Sequence, residues 1–228
     1  MPASAGLGCW CPCITGDHAD RSGFVELTDP DELRKLVGEV HPRIAGKVRD
    51  RLDPIDVSWL QESPFCLLAT SNGEGNLDVS PKGDPPGFAA VLDERTIALP
   101  DRPGNRRVDG FLNVLADPHV GMLFMVPGRG DTLRINGRGR ILTDAPFFDD
   151  MLVKGHRPTL ALMVEIDEVF YHCSKAFLRA QLWKPETWNP DGPPQRANIA
   201  KALERPEEDL EKLREYYGAQ YEKGLYRT

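Results

Sequence analysis

Phe65-Cys66-Leu67-Leu68-Ala69-Thr70, followed by Ser71-Asn72-Gly73-Glu74-Gly75 and then Asn76-Leu77-Asp78-Val79-Ser80, is the stretch that decides the fold. The continuous apolar run from Phe65 to Thr70 has the length of a buried strand, residues 71–75 carry hairpin chemistry, and residues 76–80 return. Outward from this hairpin, the spacing predicts strands over Phe88–Leu92, Thr96–Pro100, Val120–Val126, Thr132–Leu142 and Leu160–Tyr171, with turns at Asp93-Glu94 and Pro127-Gly128-Arg129-Gly130. Connections this tight favour an antiparallel barrel, for which we expect six strands. Helices predicted at about 105–115 and 144–153 do not alternate regularly with strands, which disfavours a doubly wound parallel sheet.

The flanks read as helices and linkers. Asp29 can cap a helix with Pro30 in its first position and Glu32 closing a capping box, and Leu33, Leu36, Val37 and Val40 form its apolar stripe. A second helix is predicted from Asp53-Pro54 to Ser63, while residues 42–51 are basic and ambiguous. Four prolines and Gly192 mark residues 184–195 as a linker, and Pro206-Glu207-Glu208-Asp209 opens a last helix with the stripe Leu210, Leu213 and Tyr217. The expected organisation is a leader over 1–23, a barrel domain with N-terminal helices over 24–183, and a Pro-rich linker with a C-terminal helix over 184–228.

Composition bounds the function. A chain of 228 residues with 40% hydrophobic content buries one sizeable core. Its net charge of −7 opposes a general nucleic-acid role, which needs a basic footprint, and any anionic ligand must be held by a local basic cluster. No apolar run reaches the roughly 18–20 residues that span a bilayer, and residues 1–15 lack the pattern of a secretory signal, so a cytoplasmic protein is expected. Cys9, Cys11 and Cys13 lie in a Cys-Trp-Cys-Pro-Cys leader that falls short of a paired zinc pattern; we expect flexible chain and no metal site. Cys66 and Cys173 read as buried small hydrophobes, and His172 beside Cys173 points to the opposite face of a strand.

Three constellations can carry chemistry. In Ser80-Pro81-Lys82-Gly83-Asp84-Pro85-Pro86-Gly87, Ser80 and Lys82 share a face if the strand persists and would present a hydroxyl and a cation to a ligand; the alternative is a surface loop with a solvated lysine. Pro100-Asp101-Arg102-Pro103-Gly104-Asn105-Arg106-Arg107 runs from a strand end through a turn toward a helix, where free N–H groups and a concentration of arginines suit a phosphate. The alternative there is a capped surface helix with arginines paired to Asp101 and Asp109. Along Thr132–Leu142, Leu133, Ile135, Gly137, Gly139 and Ile141 alternate with Arg134, Asn136, Arg138 and Arg140. A solvated outer face accounts for Arg138 and Arg140, and Arg134 could face a ligand or a partner chain. The sequence has no nucleophile elbow, Walker loop, His-Glu-x-x-His motif or dinucleotide fingerprint, so the pattern suits a cofactor that performs its own chemistry.

Taken in order, Ser63-Pro64-Phe65, Asp78 to Asp84 with Pro86-Gly87-Phe88, Pro100 to Arg107, Asn113 with Asp117-Pro118, Pro127-Gly128, Thr132 to Gly137, His172 to Ala176 and Arg179 to Trp183 resemble the pyridoxamine 5′-phosphate oxidase-like, FMN-binding split-barrel family. The likeness is to its bacterial branch of FMN-dependent enzymes and covers roughly residues 25 to 190. It implies a mainly β, α+β fold with peripheral helices, a six-stranded antiparallel split β-barrel, and a homodimer with FMN at the subunit interface. In family terms Ser80 and Lys82 would meet the flavin ring. Asp101, Arg102, Asn105, Arg106 and Arg107 would supply ribityl and phosphate contacts, and Lys175, Arg179 and Trp183 would reach across from the partner chain. The expected activity is FMN-dependent oxidoreduction of a small organic substrate; a non-catalytic flavin- or haem-binding barrel and a deazaflavin-dependent reductase are the alternatives. The vitamin B6-binding residues of the true oxidases are not identifiable here.

Overall fold

The computed structural model of the chain describes residues 23–219 and 221–226, so the reading of Cys9, Cys11 and Cys13 lies outside the described residues. The chain divides into two compact units, up to Ala45 and from Gly46 onward. In the first, α1 (Pro30–Val37) starts as predicted, with Asp29 accepting from the Asp31 N–H at 2.8 Å and Pro30 in the first helical position. Among the described residues no reciprocal bond runs from the Asp29 N–H to the Glu32 side chain, so the capping box expected from Glu32 does not close. Leu33, Leu36, Val37 and Val40 are all exposed. One further turn, α2 (Pro42–Ala45), follows.

The second unit begins with α3 (Pro54–Glu62), whose Asp53 and Asp56 do close a capping box. The strands are β1 (Phe65–Ser71), β2 (Leu77–Gly83), β3 (Ala90–Asp93), β4 (Thr96–Pro100), β5 (His119–Met125), β6 (Thr132–Leu142) and β7 (Ala161–His172), with α4 (Asp109–Ala116) between β4 and β5. They form one antiparallel sheet in the order β2-β1-β5-β6-β7-β4-β3. The fold is therefore α+β and antiparallel, as expected, and among the described residues all seven stretches named from the sequence form strands, one more than the six expected of the barrel. Each predicted apolar stretch finds a partner, because the short β3 adds to β4 at the sheet edge.

Register makes the two faces of the sheet unequal. Ser80, Leu68, Met122, Ile135 and Val169 stand in one row, and except for Ser80 all of these are buried. The neighbouring row on the opposite face is Pro81, Leu67, Leu123, Arg134 and Phe170, none of which is buried. At the β4–β7 end that second face is covered by a 3-10 turn, Pro146–Met151, whose Phe148 and Met151 pack on Ala98 and Ala161. Helix 144–153 of the sequence reading is this turn.

β6 and β7 are the longest pair, and they slip register between Asn136 and Gly137, where Asp167 is left as the bulged residue. The chains approach closely there: a Cβ on Gly137 would fall 2.0 Å from the Glu165 carbonyl oxygen.

A half-buried ion pair ties the segment before α3 to the sheet. Arg49 bridges Val169 through the backbone and donates to both carboxylate oxygens of Asp56, at 2.5 and 3.0 Å, while the Asp53 N–H adds a bond at 2.7 Å. Burial pushes the Asp56 carboxyl up, but the Arg49 and Asp53 hydrogen bonds outweigh it and hold the group below the usual carboxylate range. A depressed carboxylate contributes stability above its unfolded pKa, about 3.9, and loses it as pH falls through the folded value. Asp56→Asn should therefore lower Tm at pH 7 and flatten the acid limb of a Tm-against-pH curve below about pH 4. An acid limb as steep as that of the wild type would show that Asp56 does not carry it.

Several sequence boundaries shift for local reasons. β2 runs on through Pro81 to Gly83, which is tolerated because β2 is an edge strand and Pro81 need not donate outward. α4 begins at Asp109, about a turn later than expected, because Arg106 adopts a left-handed conformation at φ 62° that helix cannot continue through. Cys66 is buried, but Cys173 is exposed, because β7 ends at His172 and Cys173 lies on the turn into α5 (Lys175–Ala180). Beyond the linker the described residues form α6 (Arg196–Leu203) and α7 (Leu210–Tyr216), which share a small core of Ala197, Ala200 and Leu213. α7 is capped by Asp209 and not opened by Pro206. Among the described residues no helix is long and apolar enough to cross a membrane.

Candidate functional site

A cleft of about 810 Å³ opens where the end of β2, the 101–108 turn and the 156–159 loop meet. Ser80 and Lys82 reach it because they share the core-facing side of β2 with their neighbours Leu68 and Cys66 on β1, so the extension through Pro81 is what carries Lys82 into the cleft. α4 forms the roof. It packs on β1, β2 and β6, and Gly110 permits the approach: a Cβ there would lie 3.2 Å from an Asp78 carboxylate oxygen and 3.8 Å from Ser80 Oγ. Asn113 of the same helix donates to Thr70 Oγ1 at 3.0 Å and fixes it over β1.

Of the residues singled out in the sequence, Ser80, Lys82, Asp101, Arg102, Asn105, Arg106 and Arg107 all line this one cleft. Their electrostatic situations differ. Lys82 Nζ lies 4.0 Å from Asp101 and over the Phe111 ring at 5.1 Å. Burial pushes the Asp101 carboxyl up, with Lys82 and Arg102 opposing it. Arg102 is committed to the scaffold: it donates to Asp84 at 2.5 Å, to the Met151 carbonyl at 2.6 Å and to the His156 carbonyl at 3.2 Å, thereby holding the loop after the 3-10 turn. Arg107 pairs with Asp109 at 2.7 Å. Arg106 has neither an ion pair nor a hydrogen bond among the described residues, and its turn is held by Asn105 Oδ1, which accepts the Arg107 N–H at 3.0 Å. A left-handed non-glycine residue costs about 1–2 kcal/mol, so the turn displays this guanidinium at the expense of local strain.

Lys175, Arg179 and Trp183 do not line the cleft of their own chain. Lys175 and Arg179 are exposed on α5, and Trp183 stacks on Phe177 and donates to the Arg129 carbonyl at 2.7 Å. Arg134 lies on the open sheet face, over Phe170, and donates to Asn136. Arg138 and Arg140 are exposed, as expected of an outer face. Sequence reasoning missed His156, Arg157, Tyr221 and Tyr226, which also line the cleft. Each comes from a loop or tail with no local signature. Asp84 was visible in its motif, but its role as the acceptor for Arg102 was not.

The family model for pyridoxamine 5′-phosphate oxidase matches residues 52–173. Among curated proteins none matches the chain. Similar solved structures include HupZ of Group A Streptococcus, at 14% identity and TM-score 0.43, covering 53% of this chain and 93% of that one. An FMN-binding protein from Syntrophomonas wolfei is similar at 10% identity and TM-score 0.40, over 52% of this chain and 89% of that one. A FAD-binding protein from Mesorhizobium loti is similar at 19% identity and TM-score 0.36, over 54% and 96%.

Proposed function

This chain belongs to the pyridoxamine 5′-phosphate oxidase family, and from that premise we propose that it is a split-barrel flavoprotein that binds FMN and acts as an oxidoreductase on a small organic substrate. The observation that carries this reading is Arg106, a cation without a partner among the described residues, displayed on a strained turn in a cleft whose other arginines are already paired. In an acidic protein such a group is suited to an anion, and a phosphate takes charge-assisted hydrogen bonds of about 1.5–3 kcal/mol each. The cleft volume of about 810 Å³ suits a ligand of cofactor size.

In this reading Arg106 and Asn105 hold the phosphate, and Arg107 exchanges part of its pairing with Asp109 for it. Ser80 and Lys82 face the ring, with the Lys82 ammonium beside it and Asp101 holding that ammonium in place. Arg102 acts from behind, fixing the cleft wall through Asp84. FMN, once bound, supplies hydride or electron exchange with the substrate; the chain binds and orients. Lys175, Arg179 and Trp183 serve the site of a second copy. The open sheet face supports the dimer: Leu77 is 79% exposed and Val79 60% exposed beside Leu67, Leu123 and Phe170, an apolar surface that a second copy would cover.

The purified protein should be yellow, release FMN at one per chain on heating, and sediment at twice the chain mass. Arg106→Ala should remain dimeric and lose FMN affinity by about 10–100-fold, the value of one charge-assisted bond. Unchanged affinity in that variant defeats the phosphate assignment, and a wild-type protein that refuses added FMN defeats the cofactor.

A further inference from the structure

The C-terminal segment, which the sequence reads as a linker and a helix, reaches the cleft. After α7 the chain makes a 3-10 turn, Tyr221–Gly224, and Tyr221 and Tyr226 both line the cleft. Tyr226 is the more enclosed of the two. Its hydroxyl donates to Asp84 Oδ1 at 2.5 Å, while Asp84 Oδ2 accepts from Arg102. Its ring stacks on His156 with centroids 6.0 Å apart and planes 20° from parallel, and carries two cation–π contacts, with Lys154 at 5.3 Å and Arg102 at 5.9 Å. Leu225 and Lys223 beside it are exposed.

We infer that the segment 221–226 is a latch across the cleft, held shut by the Tyr226–Asp84 hydrogen bond, and that ligand enters and leaves only when this bond opens. The inference rests on the cofactor reading above for its ligand and on the tail contacts for its geometry. Among the described residues, the side-chain hydrogen bond that ties this segment to the sheet is the one from Tyr226 to Asp84. The remaining contacts are ring stacking and cation–π, which are weak when exposed. A single bond therefore sets the open fraction. Asp84 is shared with Arg102, so the latch is anchored to the same carboxylate that fixes the cleft wall.

A gate of this kind has a kinetic signature. If ligand passes only through the open state, weakening the latch raises entry and exit together and leaves affinity alone. Tyr226→Phe keeps the ring and removes the donor. With FMN and the full-length protein, followed by the recovery and loss of flavin fluorescence, both rate constants should rise about tenfold, the weight of one hydrogen bond to a charged acceptor. Kd should change less than twofold, and Tm should fall by about 3–6 °C, the cost of the same bond to the closed native state. Tyr226→Ala, which also removes the ring contacts, should raise both rates further. Unchanged rates overturn the latch. Faster release with an unchanged entry rate and a proportionately weaker Kd also overturns it, because the ring would then be a ligand contact and not a gate. Hydrogen exchange on the ligand-free protein separates this proposal from the cofactor reading: Tyr226→Phe should speed exchange in the segment around Leu225, whether or not FMN binds. No difference there sinks the latch by itself.

Discussion

Alanine at Gly137 should leave little folded protein. The added carbon would lie 2.0 Å from the Glu165 carbonyl oxygen and 3.0 Å from Val164 Cγ1, and the nearer obstacle is backbone, which cannot swing aside as a side chain can. Relief requires moving β7 away from β6 at the bulge, in the middle of the longest strand pair of the sheet. Ile135, Val164 and Val169, all fully buried around that point, would lose their packing together. We expect a loss of about 4–5 kcal/mol or more, at the upper end for single substitutions, which for a unit of this size is a fall in Tm of roughly 10 °C or more, or failure to accumulate soluble protein. Gly121→Ala is the control: on β5 of the open face, its Cβ would meet Asn136 Oδ1 at an ordinary 3.4 Å, and Tm should move by about 2 °C or less. Equal effects of the two substitutions would show that the close approach at Gly137 is not what demands glycine.

Removing the Asp84 carboxylate should be nearly as damaging. Its side chain is 2% exposed and that of Arg102 13%, so Asp84→Ala strands a guanidinium in a mostly buried place and leaves the Tyr226 hydroxyl without its acceptor. Breaking one side of a buried pair costs about 3–5 kcal/mol, here a drop in Tm of roughly 6–20 °C. Arg102→Met in the same background should restore part of it, because the uncompensated charge is gone, and the two substitutions should be strongly non-additive in a double-mutant cycle. Simple additivity would mean that the pair does not act as a unit. The FMN affinity of Asp84→Ala should fall as well, because Arg102 positions the 151–156 loop that walls the cleft.

The parts of this molecule that were legible in the sequence are those whose cause is local. Hairpin β1–β2 announces itself through an apolar run and a glycine-rich turn, and β6 through strict alternation, with Leu133, Ile135, Gly137 and Gly139 all buried as expected. The cleft residues between Ser80 and Arg107 were legible because they sit at strand ends in unusual turn-forming strings. What could not be read depends on distant partners. Pro81 reads as a strand end until β2 is known to lie at an edge. Arg102 reads as one more phosphate ligand until Asp84, Met151 and His156 are seen to occupy its donors. Tyr226 meets Asp84 across 142 residues, a separation at which no spacing rule operates. Cys173 was misread because its apolar neighbours belong to the end of β7, whereas the residue itself lies past it.

The strand order also dictates when the molecule can fold as it is made. β1, β2, β5 and β6 can assemble as each leaves the ribosome, since every one finds its neighbour among strands already present. β4 cannot: beyond its short companion β3 it pairs only with β7, which begins at Ala161, ~60 residues after Pro100. At about 5–20 residues per second of synthesis, Ile97 and Leu99 wait roughly 3–12 s with their apolar side chains uncovered. The last strand to emerge is thus the one that joins the two halves of the sheet, and a nascent chain stalled before it would present a β3–β4 ribbon free to pair with the wrong molecule.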